Sequence, residues 1–196
     1  MKTNIILIGM PGSGKTTIAK YLSWALEMPI IDIDDLIEES MQRSAGDTLT
    51  KYGEEKFLDF EKEISLKLKP KHSIISCTGS IPLRKEAMDY LRTIGYAILI
   101  NIPLDKIKNR LEIMKVDRIV GMSNGRMTLD EVLNYRDGIY KQSYDFIFND
   151  DGVGNKKEMF KKFLDFLLKL PIANELGLKV NEDNLKVVYD EYKGFE

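Results

Sequence analysis

A chain of 196 residues, 43% hydrophobic and 31% charged, suits one compact domain with room for a small appendage. Its net charge of -2 argues against a nucleic-acid-binding face, and no apolar run approaches the ~20 residues of a membrane-spanning helix. The single cysteine, Cys77, cannot close an internal disulfide and points to a reducing, cytoplasmic setting.

The first apolar run, residues 5–8, reads as a strand rather than a leader, because it passes directly into glycines and a lysine. Those residues are Gly9-Met10-Pro11-Gly12-Ser13-Gly14-Lys15-Thr16, a full match to G-x-x-x-x-G-K-[ST]. Gly12 and Gly14 allow the backbone to aim successive N–H groups, Ser13 included, at phosphate oxygens. The helix expected over residues 15–26 adds the positive end of its dipole. Lys15 would reach the β- and γ-phosphates of ATP, Thr16 would offer its hydroxyl to Mg²⁺, and Thr17 follows in the same turn. Trp24 on this helix is expected in the core.

A second strand, residues 29–33, carries Asp32 and Asp34. Two apart in an extended strand, they would share a face. At the carboxyl end of a strand they suit Mg²⁺ and a substrate hydroxyl; as helix caps they suit the element that follows, residues 35–41. A long helical pattern over residues 48–68, breakable at Gly53, holds Phe57, Leu58, Glu61 and Lys62. Residues 73–77 form a third apolar run ending at Cys77, which reads as a buried structural thiol. Thr78-Gly79-Ser80-Ile81 follows. His72, the only histidine, reads as a loop residue.

Helix 83–94, strand 97–100 and helix 104–114, with Arg110 near its end, continue the alternation. Residues 115–127, rich in Gly, Arg, Asn and Ser, read as a mobile lid carrying Arg118. Helix 128–141 opens with a Thr128/Glu131 capping box and carries Arg136. Strand 146–148 and helix 156–170 complete the rhythm, with Lys156-Lys157 and Lys161-Lys162 on the solvated face. Short β-branched runs alternating with helices predict a doubly wound parallel α/β sheet in three layers. Residues 171–196 follow as a helical extension to a domain spanning 1–170, either docked or free to hold a partner.

Taken in order, these motifs resemble the shikimate kinase family. The loop at residues 9–17, the D-x-D at Asp32 and Asp34, Gly53-Glu54 with Phe57 and Glu61, Thr78-Gly79, Arg110, Arg118 and the Arg136/Tyr140 pair follow the family's spacing over residues 1–170. The resemblance implies a P-loop NTPase fold with a five-stranded parallel sheet of order 2-3-1-4-5. It implies a cytoplasmic ATP-dependent kinase using Mg²⁺, a monomer or weak homo-oligomer with no nucleic-acid or membrane partner. Asp32 would hold Mg²⁺ through water, and Asp34 would bind the acceptor hydroxyl as base or orienter. Arg110 would contact adenine, Arg118 would meet the γ-phosphate, and Gly79, Ser80 and Arg136 would hold the acceptor.

The departures fall on the acceptor side. Leu58 stands where the family has an arginine that grips a carboxylate. Ser80-Ile81 replaces two glycines, with Ile81 adding bulk, and Arg118-Ile119-Val120 replaces R-P-L. Lys62, one turn beyond Leu58, could compensate, though without the planar fork of arginine. A carboxylate gains nothing from Leu58, so the sequence favours a small hydroxylated acceptor other than shikimate. A divergent but genuine shikimate kinase, and a nucleotide-binding protein with little catalysis, are the alternatives.

Overall fold

The computed structural model describes residues 1–114, 119–120 and 127–190. Five strands, β1 (Asn4–Ile8), β2 (Ile30–Asp32), β3 (Ile74–Ser76), β4 (Gly95–Asn101) and β5 (Phe146–Asn149), form one sheet of order β2-β3-β1-β4-β5. Every pairing is parallel. The central position of β1 explains its composition: all five residues are buried, so no side of the strand tolerates a charge. Helices flank the sheet in a three-layer α/β arrangement. α1 (Lys15–Leu26) packs across β1, β2 and β3, and α5 (Lys85–Ile94) packs on β1 and β4.

Side-chain caps set several helix starts. α2 (Ile33–Met41) begins at Asp32, whose side chain accepts from the Asp34 amide. This corrects the extended-strand reading of Asp32 and Asp34. β2 ends at Asp32, one residue before the expected end, and Asp34 lies in the first turn of α2, because the cap terminates the strand. The pattern over residues 48–68 divides at Gly53 (φ 81) into α3 (Ala45–Tyr52) and α4 (Glu54–Lys67). α6 (Leu104–Ile113) follows β4. α7 (Leu129–Tyr140) has the Thr128/Glu131 capping box expected of it, and α8 (Lys156–Lys169) has a second box built by Asn155 and Glu158.

Two short helices end the described chain, α9 (Pro171–Glu175) and α10 (Glu182–Asp190). α10 lies along α1: the Asn181 amide donates to Ala25 O at 2.8 Å, and Asn184 Nδ2 donates to Trp24 O at 3.0 Å. Val188 is fully buried in the main core. Trp24 itself is 45% exposed, which corrects its placement in the core. The inward face of α1 is filled by Ile18, Ala19, Leu22 and Ala25, and Trp24 falls outside that stripe.

Candidate active site

The carboxyl ends of β1, β2, β3 and β5 open onto a cavity of about 1240 Å³. At its floor, Gly12 (φ 79) and Gly14 (φ 96) hold left-handed conformations that bend the P-loop into α1. No side chain caps α1, so its first amides are left for a ligand. Lys15 is buried; its Nζ donates to Gly9 O at 2.8 Å and Met10 O at 3.1 Å. An ammonium has three donors, so one is unspent in this pose. Burial lowers the Lys15 pKa, and Asp34 leads the groups that oppose this.

Thr16 Oγ1 donates to Asp32 Oδ2 at 3.2 Å. A hydroxyl and a carboxylate converging beside the phosphate cradle fit Mg²⁺, a hard ion that keeps several waters and takes few protein ligands. Thr17 lines the same cavity. Arg110 ties the floor to the rim, donating to Gly12 O at 3.0 Å and to Gly152 O at 3.2 Å. Lys156 and Lys157, read from sequence as solvated, also line the rim at the start of α8, where Asn155 caps the helix. The Asn155-x-x-Glu158 signature was visible in the sequence and marks this helix start.

The acceptor side is built by α2, α4, α7 and the turn after β3. Asp34 lines the cavity, and its pKa is raised to about 6, first by burial and then by Asp32, against the pull of Lys15. It is therefore mainly ionised at neutral pH. Gly79 is held against the P-loop: a Cβ there would lie 2.6 Å from Pro11 Cγ and 2.7 Å from Pro11 Cδ. The Tyr140 hydroxyl sits within the same junction, its one proton shared between Gly9 O and Gly79 O. Gly79→Ala is thus expected to cost about 1–3 kcal/mol as the loops part, with weaker nucleotide binding. A melting temperature unchanged in that variant would refute the close approach.

Arg136 is 1% exposed; its Nη1 donates to Gly79 O at 3.0 Å and its Nη2 to Val120 O at 2.7 Å. Its Nε has no partner among the described residues. Burial lowers its pKa. Arg118 lies outside the described residues, as does most of the expected lid.

Glu61 is 0% exposed and lines the cavity with Phe57. Ser80 Oγ donates to Glu61 Oε1 at 2.5 Å, while Oε2 has no hydrogen-bond partner among the described residues. Burial pushes the Glu61 pKa up to about 7, with the Ser80 and Thr78 hydroxyls and Arg136 pulling it down and Asp34 pushing it up. The carboxyl therefore gains protons on folding, so stability held at low pH is lost as pH rises through about 7. Glu61→Gln, which mimics the neutral form, is expected to raise stability at pH 8 by about 1–3 kcal/mol, and by much less at pH 5. Equal shifts in melting temperature at the two pH values would contradict this.

Leu58 does not line the cavity as sequence reasoning expected; it is buried in the core one turn before Glu61. Ile81 is also fully buried in the core rather than narrowing the pocket. Lys62 pairs with Asp59 at 3.6 Å and Glu86 at 3.9 Å, so it does not take the missing arginine's place. Arg84 is tied to Glu55 at 2.8 Å and Asp59 at 3.4 Å.

A sequence model described as shikimate kinase matches residues 11–168 of this chain. The chain belongs to the shikimate kinase family. Shikimate kinase of Clostridium botulinum (strain Okra / Type B1) is 35% identical over 148 residues, covering 74% of this chain and 87% of that protein. Threonine synthase-like 1 of Mus musculus is 37% identical over 164 residues, covering 83% of this chain but 22% of that protein, so the chain spans about a fifth of the first curated relatives' length. Among solved structures, shikimate kinase from Acinetobacter baumannii, in complex with shikimate, superposes with a TM-score of 0.74 at 22% identity, covering 86% of this chain and 94% of that one. Shikimate kinase from Aquifex aeolicus superposes with a TM-score of 0.62 at 26% identity, covering 89% of this chain and 99% of that one. The parallel sheet and its order are those of the family's P-loop kinase fold.

Proposed function

We propose that this member of the shikimate kinase family transfers the γ-phosphoryl group of Mg·ATP to a hydroxyl of a small metabolite other than shikimate. The reading is carried by one arrangement: the phosphate cradle, with Lys15, and the carboxylate of Asp34 line a single cavity. Phosphoryl transfer needs little more than positioning and charge neutralisation. Gly12, Ser13, Gly14 and Lys15 would hold the phosphates. Thr16, with Asp32 through water, would hold Mg²⁺, which spreads the charge of the transferring group. Asp34 would orient the acceptor hydroxyl and take its proton as the new P–O bond forms and ADP leaves. Arg110 would support the nucleotide, Gly79 and Arg136 the acceptor, and Arg118 would close on the γ-phosphate.

The exclusion of shikimate rests on Leu58 and its surroundings. An arginine–carboxylate hydrogen bond contributes about 1.5–3 kcal/mol, and neither Lys62 nor Arg84 is placed to restore it. The test is an ATP-consumption screen with shikimate beside small polyols, hydroxy acids and hydroxy amino acids. Shikimate is expected to turn over far below the ordinary kcat/KM range of about 10⁴ M⁻¹s⁻¹ and above. Efficient shikimate phosphorylation would make the chain a divergent shikimate kinase. Turnover with no acceptor, despite Mg·ATP binding, would make it a nucleotide-binding protein.

A further inference from the structure

The acceptor pocket holds a buried carboxyl that, once ionised, the described residues leave half satisfied. Glu61 is fully buried and lines the cavity; among the described residues Ser80 donates to Oε1, and Oε2 has no hydrogen-bond partner. A buried carboxylate oxygen without a donor carries the full cost of its lost hydration. Leu58, three residues earlier on the same helix and also buried, offers Glu61 no cation. Arg136 does not bond to Glu61: Nη1 and Nη2 donate to the Gly79 and Val120 carbonyls. Lys62 is turned to Asp59 and Glu86.

We infer that the acceptor is a hydroxylated amino acid whose ammonium group donates to Glu61 Oε2 while its hydroxyl meets Asp34. This rests on the kinase reading and names its substrate class. The chemistry is complementary on each side. Asp34 and Glu61 give the pocket two carboxylates, which disfavour an acceptor whose only charge is negative. Among the described residues Arg136 gives one N–H each to two carbonyls and its Nε has no partner, and the donors that remain suit the acceptor's carboxylate. An ammonium in the pocket would hold Glu61 ionised, and a neutral polyol would leave Oε2 as unsatisfied as it is now. Ser80 has a purpose in this arrangement: its hydroxyl fixes one carboxylate oxygen so that the other faces the ligand.

The test uses the full chain and matched acceptors. Serine, threonine and homoserine are compared, at saturating Mg·ATP, with the corresponding hydroxy acids lacking the amino group. At least one amino acid is expected to exceed its deaminated counterpart in kcat/KM by about 10- to 100-fold, the range of a charge-assisted hydrogen bond. Glu61→Gln, expected to fold at least as stably as the parent, should collapse that ratio toward one. Leu58→Arg gives Glu61 an internal cation and should shift preference toward the hydroxy acid. A melting curve establishes that each variant is folded.

Equal or better turnover of the hydroxy acids or of polyols would overturn the inference and leave the kinase standing. An unchanged ratio in folded Glu61→Gln would overturn the role of Glu61. Turnover of no acceptor at all would overturn both the inference and the kinase reading.

Discussion

Lys15→Ala is expected to reduce phosphoryl transfer by about 10²–10³-fold or more, the scale of a lost preorganised charge contact in a phosphoryl-transfer site. Two effects add. The β- and γ-phosphates lose a buried cation placed within 3.1 Å of the P-loop carbonyls. Asp34 also loses the cation that opposes its upward pKa shift, so less of it is ionised near neutral pH. The fold should persist, because the buried face of α1 is supplied by Ile18, Ala19, Leu22 and Ala25. Steady-state phosphate-transfer assays with a melting curve check this. Turnover within threefold of the parent would remove Lys15 from the mechanism.

Asp34→Asn is expected to lower kcat by about 10²–10⁴-fold, the usual contribution of a positioned general base. Asparagine keeps the size of the side chain but removes the charge and presents an amide N–H to the acceptor hydroxyl. Nucleotide affinity should change little, since Lys15, Thr16 and the loop amides hold the phosphates. Equilibrium binding of ATP beside single-turnover transfer separates the two steps. Transfer at the parent rate would leave the kinase reading intact and remove Asp34 as base or orienter. Lost ATP binding would show that Asp34 acts on the nucleotide instead.

Much of this site was legible in one dimension because its chemistry is local. The P-loop is a continuous motif, and each of its glycines has a backbone task that the neighbouring residues declare. The Thr128/Glu131 box announces α7 in the same way. Asp34 was legible as a candidate site carboxylate, with its element left open between strand and cap. A D-x-D step reads equally as strand or as cap, and only the hydrogen bond from the Asp34 amide to Asp32 Oδ1, at 3.0 Å, decides for the cap. Lys156 is exposed and Lys157 half-buried, in keeping with a solvated face; that both also line the cavity was not legible, because a helix period shows which residues share a face, not which ligand cavity the helix end approaches.

By itself the sequence determined the parallel α/β fold, the phosphate cradle and the family. Continuous apolar runs can be buried only in a covered sheet, and the glycines, Lys15 and Thr16 act within one turn of chain. Only the tertiary structure decided what Glu61 and Leu58 do. Glu61 was a family landmark on α4 until the turn after β3 brought Ser80 to one of its oxygens and left the other without a partner among the described residues. Leu58 looked like a wall of the pocket, but the packing of α4 turned it into the core. Both outcomes depend on contacts between residues distant in sequence, and neither residue's own neighbours along the chain encode them.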